Sequence, residues 1–471
     1  MNHLNHATWA AFAAALAFAA PVLAASGPPR LVKGPYLTEL DAHGVTVRFQ
    51  LEGAPTAVVR VVRDDGSGGG DGGAPANSAT SSSVSGLQVA RITGLEPGTR
   101  YAYSVQVGAA SGATVGAGHF STGQALDSAL PTTFLVYGDD RTDEAAHAAV
   151  VHAMIAVPSD FLVQTGDMVA YGGSAEEWQR FFDIERPLLA DRPLFAAIGN
   201  HELVDDAAGA AFARFFGVVD ADAGHAPVRP YSTARVGNVR LFLLNTMQEW
   251  QGSEERAWLD RELARSDAEG DGVWRIAVMH HGPWSAGPHG PNTRLVEAHF
   301  PELLSLHKID LLLAGHDHDY ERGQALLKYI VSGGGGAPLY PPQPTATTRK
   351  AEAAHHFVTV SAGSRELHIV AMRADGSVIE RCGFTKGGPW DCDGAAAPAD
   401  PGDGAAPGRV ADAGASPPGS PPAPSRTSSC ASSAAGAAGP PGRLPGGLVA
   451  LGLLLGGVGG MRRARRPRRR G

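Results

Sequence analysis

The sequence predicts an α/β protein preceded by an all-β module. Three patterns carry this expectation. β-forming runs between turn signals fill residues 28–123, strand-like and helical stretches alternate over 131–385, and five short apolar runs in the second region each stop on a residue able to bind a metal. Alternating strand and helix periodicities belong to layered α/β architectures.

Taken in order, the chain opens with MNHLNHATWAAFAAALAFAAPVLAASG. Residues 1–25 read as a signal peptide, with an apolar stretch of h-region length and small residues Val22, Ala24 and Ala25 for cleavage. The alternative is an anchor helix, but the stretch is short for a span and Pro21 interrupts it. In 28–123 the runs VTVRFQLEG, AVVRVVRDD, VARITGL, YAYSVQVG and GHFSTG read as strands, and GSGGGDGGAPANSATSSS (66–83) reads as a flexible loop. In 131–385, AAHAAVVHAMIAV (145–157) and ERAWLDRELARSD (255–267) have helical spacing. KYIVSGG, HHFVTVSAG, ELHIVAMRADG and SVIERCGF read as a closing set of strands, with a hairpin turn at ADG. Residues 393–443 are rich in Gly, Ala, Pro and Ser and read as a linker that cannot bury enough to fold. Residues 444–471 join a marginal membrane segment to an Arg-rich stop.

The 471 residues suffice for two or three domains. Formal charge is −8, and the last ten residues alone hold seven Arg; without them, 32 Lys+Arg against 47 Asp+Glu leave −15. An acidic body argues against nucleic-acid binding as a main role. Of the three cysteines, Cys382 and Cys392 bracket a turn-rich segment and suit a disulfide in an exported protein, and Cys430 is left over.

The five runs are TFLVYGD, ending at Asp139, FLVQTGD at Asp167, LFAAIGN at Asn200, WRIAVMH at His280 and IDLLLAGHDH at His316 and His318. Buried strands that end this way line ligands along the rim of a sheet, where open α/β sheets carry their sites. Carboxylate, amide oxygen and imidazole without thiolate suit two hard-to-borderline ions. SGGGGAPLY (332–340) lacks the Walker spacing and reads as tight turns beside that rim.

The ordered set GDDR, GDMVAYG, GNHE, HHGPW and GHDHDYER resembles the calcineurin-like metallophosphoesterases, and within them the purple acid phosphatase branch. GLEPGTRYAYSV resembles the late strands of a fibronectin type III domain. The resemblance covers roughly residues 30–385. It implies an α+β sandwich, a β-sandwich flanked by helices, behind a fibronectin-like domain. It also implies two metal ions (Fe, Zn or Mn), with Asp167 bridging them, Asp139 and His318 on the first, and Asn200, His280 and His316 on the second.

The implied activity is an exported phosphomonoesterase of acid-phosphatase type, acting on a phosphate ester through a metal-bridging hydroxide. His201 would be its general acid, since an imidazole near pKa 6.5 can protonate a leaving alkoxide. The alternative for His201 is pairing with Glu202 or a helix N-terminus. His281 and His289 lie in the loop after the fourth run; His289 is the better candidate to touch substrate oxygens, against a solvated loop position. His147 and His152 receive no role.

Two positions depart from the family. Ala170 stands where the purple enzymes have Tyr, with Tyr171 next to it, and Arg141 stands where other members have His. Arg141 suits phosphate contact, or an ion pair with Asp140 or Asp143. The alternatives are a phosphodiesterase acting on nucleotides or lipids, or a catalytically weak surface-binding protein on the same scaffold. The Cys, spacer, Gly/Leu run and Arg cluster at the C-terminus resemble the myxobacterial sorting tail. That implies membrane contact before processing, a sorting protease and a cell-surface, outer-membrane or secreted product.

Overall fold

The computed structural model describes residues 28–392 apart from 55, 65–76, 85, 109–111, 127 and 218–228. The expected signal peptide, the linker, the Arg-rich tail and Cys430 lie outside the described residues. Among the described residues, no helix is long and apolar enough to cross a membrane.

The first eight strands are β1 (Arg30–Thr38), β2 (Val45–Glu52), β3 (Val58–Arg63), β4 (Asn77–Thr80), β5 (Ser82–Val84), β6 (Leu87–Ile92), β7 (Arg100–Val107) and β8 (Ala113–Ser121). They form two four-stranded sheets, in the orders β1-β2-β6-β5 and β4-β3-β7-β8. Period-two burial explains them. In β7, Tyr101, Tyr103, Val105 and Val107 point inward, and the residues between them do not. The Tyr101 hydroxyl also accepts the Glu96 N–H at 3.0 Å, pinning the preceding turn.

One expectation fails here. The second half of the 66–83 insert is not loop, because Asn77–Thr80 and Ser82–Val84 pair with β3 and β6. Sheet edges accept small polar residues when the neighbouring strand supplies the ladder. Ser81 joins in by accepting from Ala57 N at 2.9 Å.

The remaining strands are β9 (Thr132–Tyr137), β10 (Phe161–Gln164), β11 (Leu194–Ala196), β12 (Ser232–Val236), β13 (Val239–Leu243), β14 (Trp274–Val278), β15 (Leu311–Ala314), β16 (Tyr320–Gln324), β17 (Lys328–Ser332), β18 (Thr348–Glu352), β19 (His356–Ala362), β20 (Glu366–Arg373) and β21 (Val378–Thr385). The helices are α1 (Glu144–Ile155), α2 (Ala175–Leu189), α3 (Ala210–Phe216), α4 (Glu254–Asp267), α5 (Thr293–Glu297) and α6 (Phe300–Leu306). Asp143, Ser174 and Ser253 cap α1, α2 and α4 through their side-chain oxygens.

Two sheets result, β11-β10-β9-β19-β20-β21 and β12-β13-β14-β15-β17-β16-β18. The layer order follows from alternation. Phe134 and Val136 of β9 enter the core shared with Ile276, Val278, Leu311 and Leu313 of the other sheet. Leu135 and Tyr137 point the other way, onto Val150, Met154, Trp178, Phe181 and Phe182 of α1 and α2. Phe242, Ala277 and Leu312 cover the opposite outer face under Leu259, Leu263, Phe300 and Leu304. The architecture is an α/β sandwich with helices outside both sheets.

This corrects the single-rim picture. Donor-bearing strands β9, β10 and β11 lie in one sheet, whereas β14 and β15 lie in the other. Uninterrupted apolar runs signal burial on both faces but cannot say how many sheets share the burial. The Cys382–Cys392 disulfide forms, closing the segment after β21. The N-terminal sandwich docks through Tyr36, whose hydroxyl donates to Phe215 O at 2.9 Å, and Arg48, which donates to Gly217 O at 2.9 Å.

Candidate metal centre

Each proposed donor follows a strand end, and turn backbone aims it. Asp139, Asp167 and His316 have φ of 60°, 61° and 74°. The left-handed region costs a non-glycine residue about 1–3 kcal/mol and persists only where the surroundings enforce it. Here they do. Asp139 N donates to Gly166 O at 2.9 Å, and Asp140 N to Asp167 O at 3.1 Å. His316 N donates to Asp139 Oδ2 at 2.9 Å, which joins the two sheets at the site.

Glu202 holds the acidic side together. Fully buried, its carboxylate accepts from Asp167 N at 2.9 Å, Met168 N at 2.8 Å and Gly199 N at 2.7 Å. The GDMV and GNHE turns therefore share one anchor. His201 is not paired with Glu202.

The imidazoles are set by bonds on their far nitrogens. His280 Nδ1 lies 2.9 Å from Thr165 O, His318 Nδ1 2.7 Å from Pro338 O and His201 Nδ1 2.8 Å from Ala170 O. A carbonyl only accepts, so each Nδ1 carries the proton and each Nε2 is left for the site. His280 Nε2 then faces Asn200 Oδ1 at 3.1 Å, His316 Nδ1 at 3.2 Å and Asp167 Oδ1 at 3.3 Å. Four donors about 2.1 Å from one ion in tetrahedral array stand about 3.4 Å apart. The three spacings around His280 Nε2 lie close to that separation.

Electrostatics agree. Burial alone would raise Asp167, yet the facing His280 and His201 hold its carboxyl below the ordinary range. Burial disfavours charge on His280, but Asp167 and Asp139 outweigh it and lift the imidazole to about 9. A proton there satisfies the converging lone pairs in part, and a cation must expel it to bind. Burial, with His280 next, pushes His316 down to about 2, which leaves its ring neutral. Burial likewise pushes His318 down to about 4.

The second group is Asp139 Oδ1 and His318 Nε2, 3.6 Å apart, with Asp167 Oδ2. Asp139 Oδ1 is buried without a hydrogen-bond partner, as a ligand oxygen would be. Arg141 reaches the same atoms. Its Nε lies 3.3 Å from Asp167 Oδ2 and its Nη2 3.3 Å from His318 Nε2. It meets these two residues rather than Asp140 or Asp143. A cation on the second group must share those atoms with a guanidinium.

Glycines leave room for the cluster. A Cβ on Gly199 would stand 2.2 Å from Asp167 Oδ1, and one on Gly315 2.5 Å from Asp139 Oδ2. The donor set, its spacing, the orphaned oxygen and these cradles fit a metal centre of first-row ions.

The other candidates divide. His201 Nε2 faces Asp167 Oδ2 at 3.9 Å, so His201 lies at the site. The His289 ring rests 4.4 Å from that of His316, and the His281 ring 4.2 Å from it. His281 Nε2 is turned to Gly290 O at 3.3 Å. Tyr171 is 51% exposed, and its backbone N–H is held by Glu177 at 3.1 Å. His147 is buried against Glu185 at 2.8 Å. SGGGGAPLY packs under the rim, with Gly335 N donating to Gly138 O and Ala337 N to Asp139 O.

Three contributors escaped the sequence reading. Glu202 and Asp317 adjoin candidate ligands within GNHE and GHDH, and that adjacency is the signal the sequence offers. Tyr340, stacked on His318 at 4.2 Å, ends the SGGGGAPLY segment expected beside the rim, but nothing in the sequence singles out its ring.

Residues 137–320 match the calcineurin-like phosphoesterase family model. Purple acid phosphatase 23 of Arabidopsis thaliana is 28% identical over 171 residues, covering 35% of this chain and 36% of its own length. Probable purple acid phosphatase 20 of the same plant is 28% identical over 205 residues, covering 41% and 47%. The chain thus spans less than half the length of these curated relatives. The purple acid phosphatase PPD1 from yellow lupin seeds superposes with a TM-score of 0.63 at 16% identity, over 76% of this chain and 74% of its own. PhoD gives 0.59 at 12% identity, over 78% and 92%. The segment 137–320 is a calcineurin-like metallophosphoesterase domain, with purple acid phosphatases among its homologues and structural neighbours.

Proposed function

We propose that the protein is a metal-dependent phosphoric ester hydrolase, a phosphomonoesterase of acid-phosphatase type with a dinuclear centre on Asp167. The observation that carries this reading is the convergence of Asn200 Oδ1, His316 Nδ1 and Asp167 Oδ1 on His280 Nε2 at 3.1–3.3 Å. Asn200, His280 and His316 would hold one ion, Asp139 and His318 the other. Bound there, the ions supply Lewis acidity toward phosphoryl oxygens and lower the pKa of water.

The protein groups do the rest. Asn200 is a neutral oxygen donor and leaves the centre with net positive charge for an anionic ester. Arg141, fixed at the rim by Asp167, offers a planar fork suited to phosphate oxygens. His201, held by Ala170 O with Nε2 toward Asp167, would give a proton to the leaving alkoxide. His289, whose ring lies 4.4 Å from that of His316, would meet phosphate oxygens. Asp139→Ala or His316→Ala should abolish hydrolysis of a chromogenic phosphate ester by metal-supplemented protein. Wild-type turnover in either variant sinks the assignment.

We also infer export, supported by the Cys382–Cys392 disulfide, since such bonds persist in oxidising compartments. Residues 28–123 then serve as a fibronectin type III-like module ahead of the catalytic domain. N-terminal sequencing of the mature protein tests export; a chain beginning at Met1 and retained in the cytoplasm contradicts it.

A further inference from the structure

The loop between β14 and α5 is wrapped around one buried carboxylate. Asp317 lies between His316 and His318, is 1% exposed, and makes its side-chain hydrogen bonds to this loop. Its Oδ1 accepts the His289 backbone N–H at 3.0 Å and faces His289 Nδ1 at 2.9 Å. Its Oδ2 accepts the Ser285 hydroxyl, which in turn accepts Gly287 N at 3.0 Å. A Cβ on Gly287 would fall 2.1 Å from the Asp317 carboxyl carbon, so the loop closes over the acid only because that position is glycine.

We propose that Asp317 is a positioning residue for phosphate recognition: its carboxylate fixes the ring of His289 and turns Nε2 toward the phosphoryl oxygens of the bound ester. The inference rests on the phosphohydrolase reading for its substrate, but not for its geometry. A carboxylate can only accept, so the 2.9 Å contact assigns the proton on His289 to Nδ1 or to both nitrogens. Either way the ring's orientation is set. Without Asp317, an imidazole whose side chain is 41% exposed has no other hydrogen-bonded anchor at its ring among the described residues. Packing helps but does not fix the ring: it lies 4.4 Å from the His316 ring and 5.2 Å from Tyr340, at angles of 38° and 64°. The arrangement couples two motifs. The chain segment that carries His316 and His318 also carries the acid that places a separate phosphate-facing group, so the ligands and the anion contact are built on one backbone turn.

The test is a double-mutant cycle on full-length, metal-loaded protein, read as the dissociation constant for inorganic phosphate by calorimetry. His289→Ala and Asp317→Ala should each weaken phosphate about tenfold or more, the range expected for a hydrogen bond to a charged group. The double variant should be no weaker than His289→Ala alone, because Asp317 acts through His289. Asp317→Asn should recover most of the loss, since an amide oxygen can still accept from both His289 N–H groups. Metal content per chain should match wild type in every variant. The proposal is overturned if the losses multiply in the double variant, if Asp317→Ala binds phosphate as wild type does, or if Asp317→Ala loses metal. Phosphate affinity does not depend on turnover, so a wild-type protein that binds phosphate but hydrolyses no ester would refute the enzymatic reading and leave this cycle interpretable.

Discussion

Gly199→Ala isolates the cradle around Asp167. The added Cβ would stand 2.2 Å from Asp167 Oδ1, 2.5 Å from Asp167 N and 2.9 Å from Glu202 Oε2. Ordinary contact begins at 3.4 Å, so the carboxylate must retreat by about 1.2 Å (3.4 − 2.2). It has little freedom to do so, because His201 N donates to the same Oδ1 at 2.9 Å and Glu202 holds the Asp167 backbone. Metal sites tolerate ligand errors of about 0.2 Å, and a misplacement of about 1 Å in a catalytic array costs about 10²-fold in rate. Overpacking costs about 1–3 kcal/mol, against a gain of about 0.4–1 kcal/mol from a stiffer unfolded chain. The variant should therefore fold, with a modestly lower Tm, yet hold less metal and hydrolyse a phosphate ester about 100-fold more slowly. Plasma emission metal analysis, steady-state kinetics and thermal unfolding read the three quantities. Gly272→Ala, where a Cβ meets nothing within 4 Å, is the control. Full metal content and near wild-type turnover in Gly199→Ala would refute the reasoning.

Three further outcomes are expected. His201→Ala should keep its metals and lose about 10²–10⁴-fold in kcat, with the smallest loss on esters of acidic alcohols; an equal loss on all esters contradicts a proton-donating role. Arg141→Ala should tighten the second metal equivalent in a competitive chelator titration, because it removes the guanidinium from Asp167 Oδ2 and His318 Nε2; unchanged affinity would show that the guanidinium does not compete. Burial pushes Glu255 up to about 8, against the lowering effect of Asn245 N and Gln248. Its folded pKa exceeds the unfolded value of 4.5, so the folded state binds the extra proton between about 4.5 and 8, and stability falls as pH rises through that window. Glu255→Gln abolishes this dependence, and urea unfolding should show the variant gaining on wild type from pH 5 to pH 8; a constant difference contradicts it.

Much of the site was legible because its donors follow strand ends. A Gly-Asp after an apolar run is common, but Asp139, Asp167, Asn200, His280, His316 and His318 in that order constrain one another. The strands of the sandwich core were legible for the same reason, since Val, Ile and Leu runs must be buried. The pairing of sheets was not, because Phe134 and Leu135 look alike in sequence and only the fold sends one inward and the other to α1 and α2. Helix α2 was missed although Trp178, Phe181, Phe182 and Leu189 lie on one face, its Pro187 and many charges masking the period. Strands β4, β5 and β18 are short and polar, held by their neighbours rather than by propensity. Asp317 and Glu202 stayed hidden because a charged residue beside a ligand reads as solvated until burial is known.

Anomalous diffraction from metal-loaded crystals is the most direct measurement. The account predicts a strong peak within about 2.0–2.2 Å of Asn200 Oδ1, His280 Nε2, His316 Nδ1 and Asp167 Oδ1, with a second about 3.5–4 Å away on the Asp139 and His318 side of the same carboxylate. No anomalous density among these side chains in crystals grown with saturating metal would contradict it.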